Sequence, residues 1–153
     1  MSSLTLINIF EIIFASLLLI ILFPLIFILF ILLFIAQGKP VIFISKRVGK
    51  NGHEFNIYKF RTMENKIKHN DPDKITFIGK FLRKLSIDEL LQIINVIKGD
   101  MSFVGPRPLP LDIENKIEFN KRKKRRLIKP GLTGLSQINY KPNRSLNEKV
   151  NLD

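Results

Sequence analysis

Two adjacent carboxylates, Asp88 and Glu89, are the side chains of this sequence best suited to chemistry. Ser86 precedes them at capping-box spacing and apolar residues then recur at helical spacing, so the sequence predicts a helix over residues 87–98 that Gly99 ends. The macrodipole and the free N–H groups at the start of that helix would favour ionised Asp88. An ionised carboxylate can attack phosphorus or hold a divalent cation; the alternative is that both acids only cap the helix.

Four basic residues stand where they could bind phosphate oxygens. Lys59 and Arg61 lie two residues apart in a predicted strand and would face the same side. Arg83 lies near the end of a predicted amphipathic helix and would come close to Asp88. Arg107 lies between two prolines, which restrict the backbone and would hold a guanidinium rigidly. The alternative for each is a solvated charge or a structural turn.

A glycine-containing turn is predicted at Pro130-Gly131-Leu132-Thr133-Gly134, and Gln137 follows it. Its exposed N–H groups could form a cradle for a phosphate or a nucleoside. The sequence contains no GxxxxGK[ST] or GxGxxG pattern, which argues against a P-loop or a dinucleotide fold. His53 and His69 lie far apart in polar surroundings, so we interpret both as solvated side chains and not as metal ligands.

Composition limits the classes of partner. The 25 Lys and Arg residues against 13 Asp and Glu give a formal charge of +12, so the partners should be anionic. Nucleic acid, acidic phospholipid and a phosphorylated small molecule all satisfy this condition. The basic run at residues 121–126 would be attracted to anionic lipid beside a membrane segment. The chain has no cysteine, which excludes disulfides and thiolate metal sites.

The N-terminal part predicts a membrane segment. Residues 12–36 contain no charge and as one helix would be about 37 Å long, more than the hydrocarbon core of ~30 Å. Pro24 near the middle lacks an N–H, which predicts a kink or a break. A kinked span would leave the N-terminus outside, because the basic residues after the segment mark a cytoplasmic side. A helix broken at Pro24 could instead turn back, with both ends on the cytoplasmic face; hydropathy alone favours the span.

The composition changes at Gly38-Lys39-Pro40, which divides the chain into a membrane-embedded helical hairpin or kinked helix (1–38) and a cytosolic catalytic domain (39–153). The expected fold class is α+β and mostly helical: a Pro-broken membrane helix, then a small cytosolic domain with a β-hairpin and amphipathic helices. The elements predicted after the boundary are a β-hairpin over 41–48 and 54–62, a polar mobile loop and candidate lid over 65–74, and helices over 75–85 and 112–129.

Together these stretches resemble the bacterial sugar transferase family, the monotopic phosphoglycosyl transferases that begin glycoconjugate assembly on polyprenol phosphate. The resemblance covers nearly the whole chain, and its order and spacing are highly specific although each stretch alone is weak. It rests on the Pro-broken membrane segment, Lys59-Phe60-Arg61-Thr62-Met63, Leu85-Ser86-Ile87-Asp88-Glu89-Leu90, residues 98–109 ending in Gly-Pro-Arg-Pro-Leu, and Pro130-Gly131-Leu132-Thr133-Gly134 followed by Gln137.

The resemblance implies a UDP-sugar as donor, Asp88 as covalent nucleophile, and Glu89 helping to hold Mg²⁺. Asp88 would attack the sugar-bearing phosphorus and expel UMP, and polyprenol phosphate, in bacteria undecaprenyl phosphate, would then attack the phosphosugar-enzyme. The product would initiate capsule, O-antigen, exopolysaccharide or glycoprotein glycan synthesis. The family's basic positions for substrate phosphates fall on Lys59, Arg61, Arg83 and Arg107.

The resemblance also implies a re-entrant segment, which overturns the preference from hydropathy, on the cytoplasmic face of the bacterial inner membrane. Three features depart from the family pattern. Phe23 replaces a frequent Ser before the membrane proline, and Lys129 and Tyr140 stand where Arg and Gly are usual. Relatives continue for roughly fifty more residues, enough for several helices, so we expect a C-terminally truncated form.

The expected partners are a UDP-sugar, polyprenol phosphate and anionic membrane lipid; no nucleic acid is expected, and a homo-oligomer is left open. Two other function classes remain. One is a catalytically inactive truncated homologue whose motifs survive without the missing helices. The other is a membrane-tethered basic protein that binds anionic lipid or nucleic acid, which would need the basic run but no acidic pair. No residue identifies the sugar.

Overall fold

The structure is a computed structural model that describes residues 3–64, 75–139 and 145–153. The predicted loop over 65–74 and Tyr140 lie outside these residues. The predicted α+β, mostly helical class is confirmed.

In chain order the elements are α1 Ser3–Gln37, β1 Ile42–Val48, a 3₁₀ turn Lys50–Gly52, β2 Glu54–Phe60, α2 Phe77–Lys84, a 3₁₀ helix Ile87–Gln92, α3 Ile93–Ile97, β3 Ser102–Val104, α4 Leu111–Glu114, α5 Phe119–Arg125, β4 Gly131–Thr133, α6 Leu135–Ile138 and α7 Leu146–Leu152.

Helix α1 contains the whole apolar segment, and Pro24 lies inside it. The helix does not end at the proline, so a break at Pro24 is not confirmed, and the helical hairpin or kinked helix expected over 1–38 stays a prediction. Proline removes one N–H from the ladder, and strongly apolar helical turns on both sides can continue the helix despite that loss. By length and composition, the 32 residues Leu6–Gln37 could cross a membrane.

One face of α1 packs on the rest of the chain along most of its length. A first core joins Ala15 of α1 to Ile57, Ile93, Val96 and Met101, with Leu18, Leu19 and Leu22 packed against it. A second core joins Leu33 of α1 to Val41, Phe60, Leu82 and Leu91, with Ile26 and Leu29 beside it. The α1 residues recur three or four positions apart, as expected for one helical face. Full burial of a side chain such as Leu33 contributes about 1.5–3 kcal/mol, and the partly buried leucines contribute less.

The opposite face of α1 is exposed and apolar. Ile20, Ile21 and Ile35 are each more than two thirds exposed, at 71%, 72% and 77%. A contiguous apolar surface of this kind marks an interaction with a membrane or with another apolar partner.

Polar side chains also join the N-terminal part of α1 to the rest of the chain. Glu11 Oε1 accepts hydrogen bonds from the Ser102 hydroxyl and, at 3.1 Å, from the Phe103 N–H. Lys129 Nζ donates to Asn8 Oδ1 at 3.1 Å. The first half of α1 is therefore bonded to strand β3 and to Lys129, which lies shortly before strand β4.

The predicted hairpin is confirmed. Strands β1 and β2 pair antiparallel, with a register that runs from Ile42 opposite Phe60 to Val48 opposite Glu54. The turn between them contains Asn51 at φ 56°, a left-handed conformation that asparagine tolerates better than most residues. Directly paired residues share one face of a sheet, so the register places Arg47 and Lys59 on the same face.

Of the helices predicted over 112–129 and 75–85, the first differs from the observed elements and the second agrees with them. The helix predicted over 112–129 is divided into α4 and α5, because the segment between them turns to bury Ile117. Arg126 closes this turn by pairing with buried Glu114 at 3.2 Å. The helix predicted over 75–85 is confirmed as α2, and the Thr76 hydroxyl caps it by accepting from the Gly79 N–H at 3.0 Å.

Four side chains of the basic run at 121–126 make polar contacts within the fold. Arg122 donates to Asn115 at 3.0 Å, Lys121 lies 3.6 Å from Glu118, and Arg126 pairs with Glu114. Arg125 is nearly buried and pairs with Asp153. Most of the run's charge is therefore engaged within the fold, which leaves less of it for anionic lipid.

Candidate active site

Glu89 is the centre of the polar cluster that the fold assembles. Its Oε1 accepts hydrogen bonds from Lys59 Nζ at 2.6 Å and from Arg107 Nη2 at 2.9 Å. Strand β2 supplies Lys59, and the turn after β3 supplies Arg107. Burial alone would raise the pKa of Glu89, but the charges and hydrogen bonds of Arg107 and Lys59 outweigh it and hold the pKa below its usual value. Glu89 is therefore ionised and fixed between two cations.

Asp88 is only 8% exposed, and its environment differs from that of its neighbour. Burial raises the pKa of Asp88, and the charge of Glu89 adds to the rise, although Lys59 and Arg83 oppose it. The backbone N–H groups at the helix start do favour ionised Asp88, as the sequence predicted, but burial outweighs them and the pKa stays above its usual value. Removal from water outweighs the dipole of a short 3₁₀ segment.

The predicted capping box is also wrong. Ser86 has a left-handed backbone, with φ 56° and ψ 21°, and its side chain makes no capping hydrogen bond. Residues 87–92 form a 3₁₀ helix, and only 93–97 are α-helical. The Glu89 N–H donates to the Ser86 carbonyl at 3.2 Å, while the Glu89 carboxylate turns to Lys59 and Arg107. A capping box needs both side chains to bond backbone N–H groups, and here neither does.

Arg83 lies where the sequence predicted it. It lies in the last turn of α2, close enough to Asp88 that its charge lowers the pKa of that carboxyl, against the larger effect of burial. Its Nε donates to Thr62 Oγ1 at 2.7 Å, which fixes the guanidinium from the other side. Thr62 is buried just beyond β2, so the two elements that flank Asp88 are joined through this bond.

Arg61 does not face the site with Lys59, so the predicted same-face pair is wrong. Strand β2 ends at Phe60, and side-chain alternation applies only within the strand. Arg61 is buried, and its Nη2 donates to the carbonyls of Gln37 at 2.6 Å and Gly38 at 3.0 Å. A cation there satisfies the carbonyls at the end of α1, a structural role in this fold.

A cavity opens beside Glu89, and it includes residues that motif analysis missed. It is lined by Arg47, Ile57, Lys59, Glu89, Gln92, Arg107, Pro108, Gly131, Leu132 and Gln137. Among these described residues, three are cations and one is an acid, so the cavity has excess positive charge and suits a polyanion. Burial lowers the pKa of Arg47, and the facing charge of Arg107 lowers it further. The hairpin register could have revealed Arg47, because it lies on the face of Lys59.

The predicted glycine turn serves this cavity through packing. Gly131 and Gly134 are buried, and the Gly131 N–H donates to the Pro106 carbonyl at 3.0 Å. The sequence predicted that this N–H would be exposed to a ligand, and that prediction is wrong for Gly131. A Cβ on Gly131 would lie 2.1 Å from the Gly105 nitrogen. Only glycine allows the two turns to approach so closely, and this contact fixes the backbone that carries Arg107.

The other turn residues divide between packing and the cavity. Pro130 is buried and its carbonyl accepts from the Ser102 N–H at 2.9 Å, whereas the Thr133 side chain is exposed. Gln137 lines the cavity, and its Oε1 accepts from the Ser136 hydroxyl at 3.0 Å. The predicted turn, which forms strand β4, therefore contributes Gly131 and Leu132 to the cavity lining, and α6 after it contributes Gln137.

The donor set fits Mg²⁺ only if a ligand shares it. In the part of the chain that the structure describes, no group of three or more His, Cys, Asp or Glu side chains could hold a metal. Mg²⁺ is usually bound by one or two carboxylates together with substrate phosphates. Glu89, beside a cavity that suits a polyanion, meets that description.

The two carboxylates should be distinguishable by stability as well as by titration. Glu89 has a lowered pKa in the fold, so its charge stabilises the fold above its unfolded pKa, and this is lost as pH falls through the folded pKa. Asp88 has a raised pKa, so its charge opposes folding at neutral pH. We expect Asp88→Asn to raise the melting temperature at pH 7 and Glu89→Gln to lower it, as measured by thermal denaturation. Equal changes in the two variants would contradict these environments.

Comparison with known proteins gives consistent matches. The sequence model of one family, described as bacterial sugar transferase, matches residues 2–153. The chain is 46% identical over 137 residues to a galactosyl transferase, CpsE, of Streptococcus agalactiae, covering 76% of this chain and 30% of that protein. It is 46% identical over 121 residues to an uncharacterized sugar transferase, EpsL, of Bacillus subtilis, covering 76% and 59%.

A third relative, from Escherichia coli, is named a UDP-glucose:undecaprenyl-phosphate glucose-1-phosphate transferase. This chain is 34% identical to it over 145 residues, which cover 84% of this chain and 30% of the relative. The chain therefore spans less than two thirds of the length of each of the three relatives.

Proposed function

Because the chain belongs to the bacterial sugar transferase family, we propose that it transfers a sugar-1-phosphate from a UDP-sugar to undecaprenyl phosphate and so begins the synthesis of a polysaccharide or other glycoconjugate. The observation that carries the proposal is buried Asp88 next to Glu89, which lines a cavity with more cations than acids, and within reach of the charge of Lys59 in the same lining. The E. coli relative's name specifies the same acceptor and a UDP-sugar donor.

Asp88 is proposed as the nucleophile of the first step. One of its carboxylate oxygens attacks the sugar-bearing phosphorus of the donor, a P–O bond to Asp88 forms, and the P–O bond to UMP breaks. Burial has removed water from around this carboxylate, which strengthens its interactions with the charges that face it. In the second step an oxygen of undecaprenyl phosphate attacks the same phosphorus, and Asp88 leaves as a carboxylate.

The cations of the cavity are proposed to bind the phosphates. Arg47 of β1, Lys59 of β2 and Arg107 of the turn after β3 line one cavity, so they can contact the oxygens of a diphosphate from several directions. Phosphoryl transfer spreads charge over these oxygens, so fixed positive charge around them stabilises the transition state. Glu89 would hold Mg²⁺ together with the donor phosphates, and the ion when bound would neutralise developing charge.

The assay is incubation of the purified protein with UDP-sugars, Mg²⁺ and undecaprenyl phosphate, followed by detection of UMP and of the lipid product. A panel of UDP-sugars, each tested alone, would identify the sugar. Without undecaprenyl phosphate, we expect at most one equivalent of UMP to be released per enzyme molecule. Further UMP release should require the acceptor. No UMP release with any member of the panel would support the inactive-homologue alternative.

The topology we propose is monotopic, with both ends of α1 on the cytoplasmic face. Asn8 and Glu11 bond to the domain near one end of the helix, and Arg61 bonds to its last carbonyls at the other. A helix that crossed the bilayer would carry one of these ends to the opposite side and break its bonds. The exposed apolar face of α1 would contact lipid.

Cysteine labelling tests this topology, and the chain has no native cysteine to interfere. We expect single variants Ser3→Cys and Asn51→Cys both to be protected from a membrane-impermeant maleimide in intact cells. Permeabilised cells are the control, in which both should react. Reaction of Ser3→Cys alone in intact cells would mean a full span and would exclude the monotopic topology.

A further inference from the structure

A buried ion pair lies directly behind Arg107. Asp153, which follows α7, pairs through Oδ2 with Arg125 Nη1 on α5, and their side chains are only 3% and 8% exposed. The second nitrogen of the same guanidinium, Arg125 Nη2, donates to the backbone carbonyl of Arg107 at 2.7 Å. One guanidinium therefore joins the end of α7 to the turn that carries a cation of the cavity.

The charge of Asp153 has no other described support. Its Oδ1 is buried and has no hydrogen-bond partner among the described residues. A buried carboxylate with one cationic partner holds that partner strongly, because separation would leave both charges without water. The planar fork of arginine lets Arg125 bond Asp153 and the Arg107 carbonyl together, which a lysine ammonium on a flexible stem does less well.

We propose that Asp153 is a positioning residue that acts through Arg125 to fix Arg107 against Glu89, an inference that rests on the proposed function of the cavity. Pro106 and Pro108 restrict the backbone on either side of Arg107, and the Arg125 hydrogen bond fixes the carbonyl between them. The Arg107 guanidinium is 2.9 Å from Glu89. Asp153, at the end of α7, thereby orients the phosphate-binding Arg107, although Asp153 itself does not line the cavity.

A double-mutant cycle separates this role from simple stabilisation. Asp153→Asn should lower kcat/KM for the UDP-sugar about tenfold, the low end of what supporting hydrogen bonds contribute around other sites. In an Arg107→Ala background the same substitution should change kcat/KM little, because the residue it positions is gone. Asp153→Glu, which keeps the carboxylate, should recover part of the loss. Equal losses in both backgrounds would overturn the proposal.

Glu114→Gln is the matched control. Glu114 is also a buried carboxylate paired with an arginine of this region, Arg126, but that pair makes no described hydrogen bond to Arg107. Its effect on kcat/KM should be the same with and without Arg107. If Asp153→Asn does not fold, Arg125→Lys takes its place, since it keeps a cation beside Asp153 and removes the fork.

A readout without substrate keeps the inference separate from the proposed activity. In the 153-residue protein labelled with ¹⁵N-arginine, we expect the Arg107 Nε–H to be restricted in the wild type, more mobile in Asp153→Asn, and as restricted in Glu114→Gln as in the wild type. Unchanged Arg107 mobility in Asp153→Asn would overturn the positioning role even in an active enzyme. Absence of UMP release from the wild type would instead overturn the proposed function, while the mobility comparison would still decide the role of Asp153.

Discussion

Asp88→Asn should abolish turnover, with a loss of about 10⁴-fold or more in UMP release, because an amide oxygen is a poor nucleophile and the rest of the site cannot replace it. The substitution preserves shape, and burial already disfavours the charge of Asp88, so the variant should fold at least as well as the wild type. If the variant is more stable than the wild type and yet inactive, the loss of activity comes from the missing nucleophile and not from unfolding.

Intact-protein mass spectrometry makes the same test on the intermediate. After incubation with a UDP-sugar and Mg²⁺ but no acceptor, we expect a phosphosugar mass on the wild type and none on Asp88→Asn. Glu118→Gln is the control, since Glu118 is an exposed carboxylate paired with Lys121 away from the cavity. An adduct that persisted in Asp88→Asn would assign the nucleophile to another residue.

The sequence was informative about the acids and uninformative about their partners. An adjacent Asp-Glu pair in a strongly basic chain is conspicuous, but Ser86 and Glu89 at capping-box spacing predicted a helix cap that the fold does not make. The actual partners of Glu89 are 30 and 18 residues away in sequence. Local spacing cannot reveal such partners, because tertiary packing of β2 and the proline turn brings them together.

Arg61 and Arg47 show a similar limit. Alternation predicted Arg61 on the face of Lys59, but the strand ends one residue earlier and Arg61 turns to the end of α1. Arg47 attracted no motif and yet lines the cavity. The predicted hairpin was sufficient to find it, because its short turn fixes the register and hence the shared face.

Helix α1 shows where hydropathy is insufficient. A long apolar segment predicts a helix and a membrane contact equally well for a span and for a helix lying against its own domain. The face of α1 that includes Ala15 and Leu33 is as apolar as the exposed face, so only packing distinguishes the face that contacts the domain. The positions of Asn8 and Glu11 at one end were the polar signal that this helix has a docked side.

Glu89→Gln should impair activity severely but differently from Asp88→Asn. The substitution removes the negative charge between Lys59 and Arg107, so the two cations lose the group that holds them together, and the affinity for Mg²⁺ falls with it. We expect a loss of about 10²–10³-fold in kcat at ordinary Mg²⁺, with part of the activity recovered at high Mg²⁺.

The pH dependence provides an independent check on Glu89→Gln. Because the charge of Glu89 helps burial to raise the pKa of Asp88, its removal should move the acid limb of the kcat profile to lower pH. Glu114→Gln, a buried carboxylate outside the cavity, should leave both the Mg²⁺ dependence and the acid limb unchanged. An unchanged Mg²⁺ dependence in Glu89→Gln would mean that Glu89 only orders Lys59 and Arg107. Recovery of Asp88→Asn by Mg²⁺ would show instead that Asp88 is the metal ligand, and the roles of the two carboxylates would have to be exchanged.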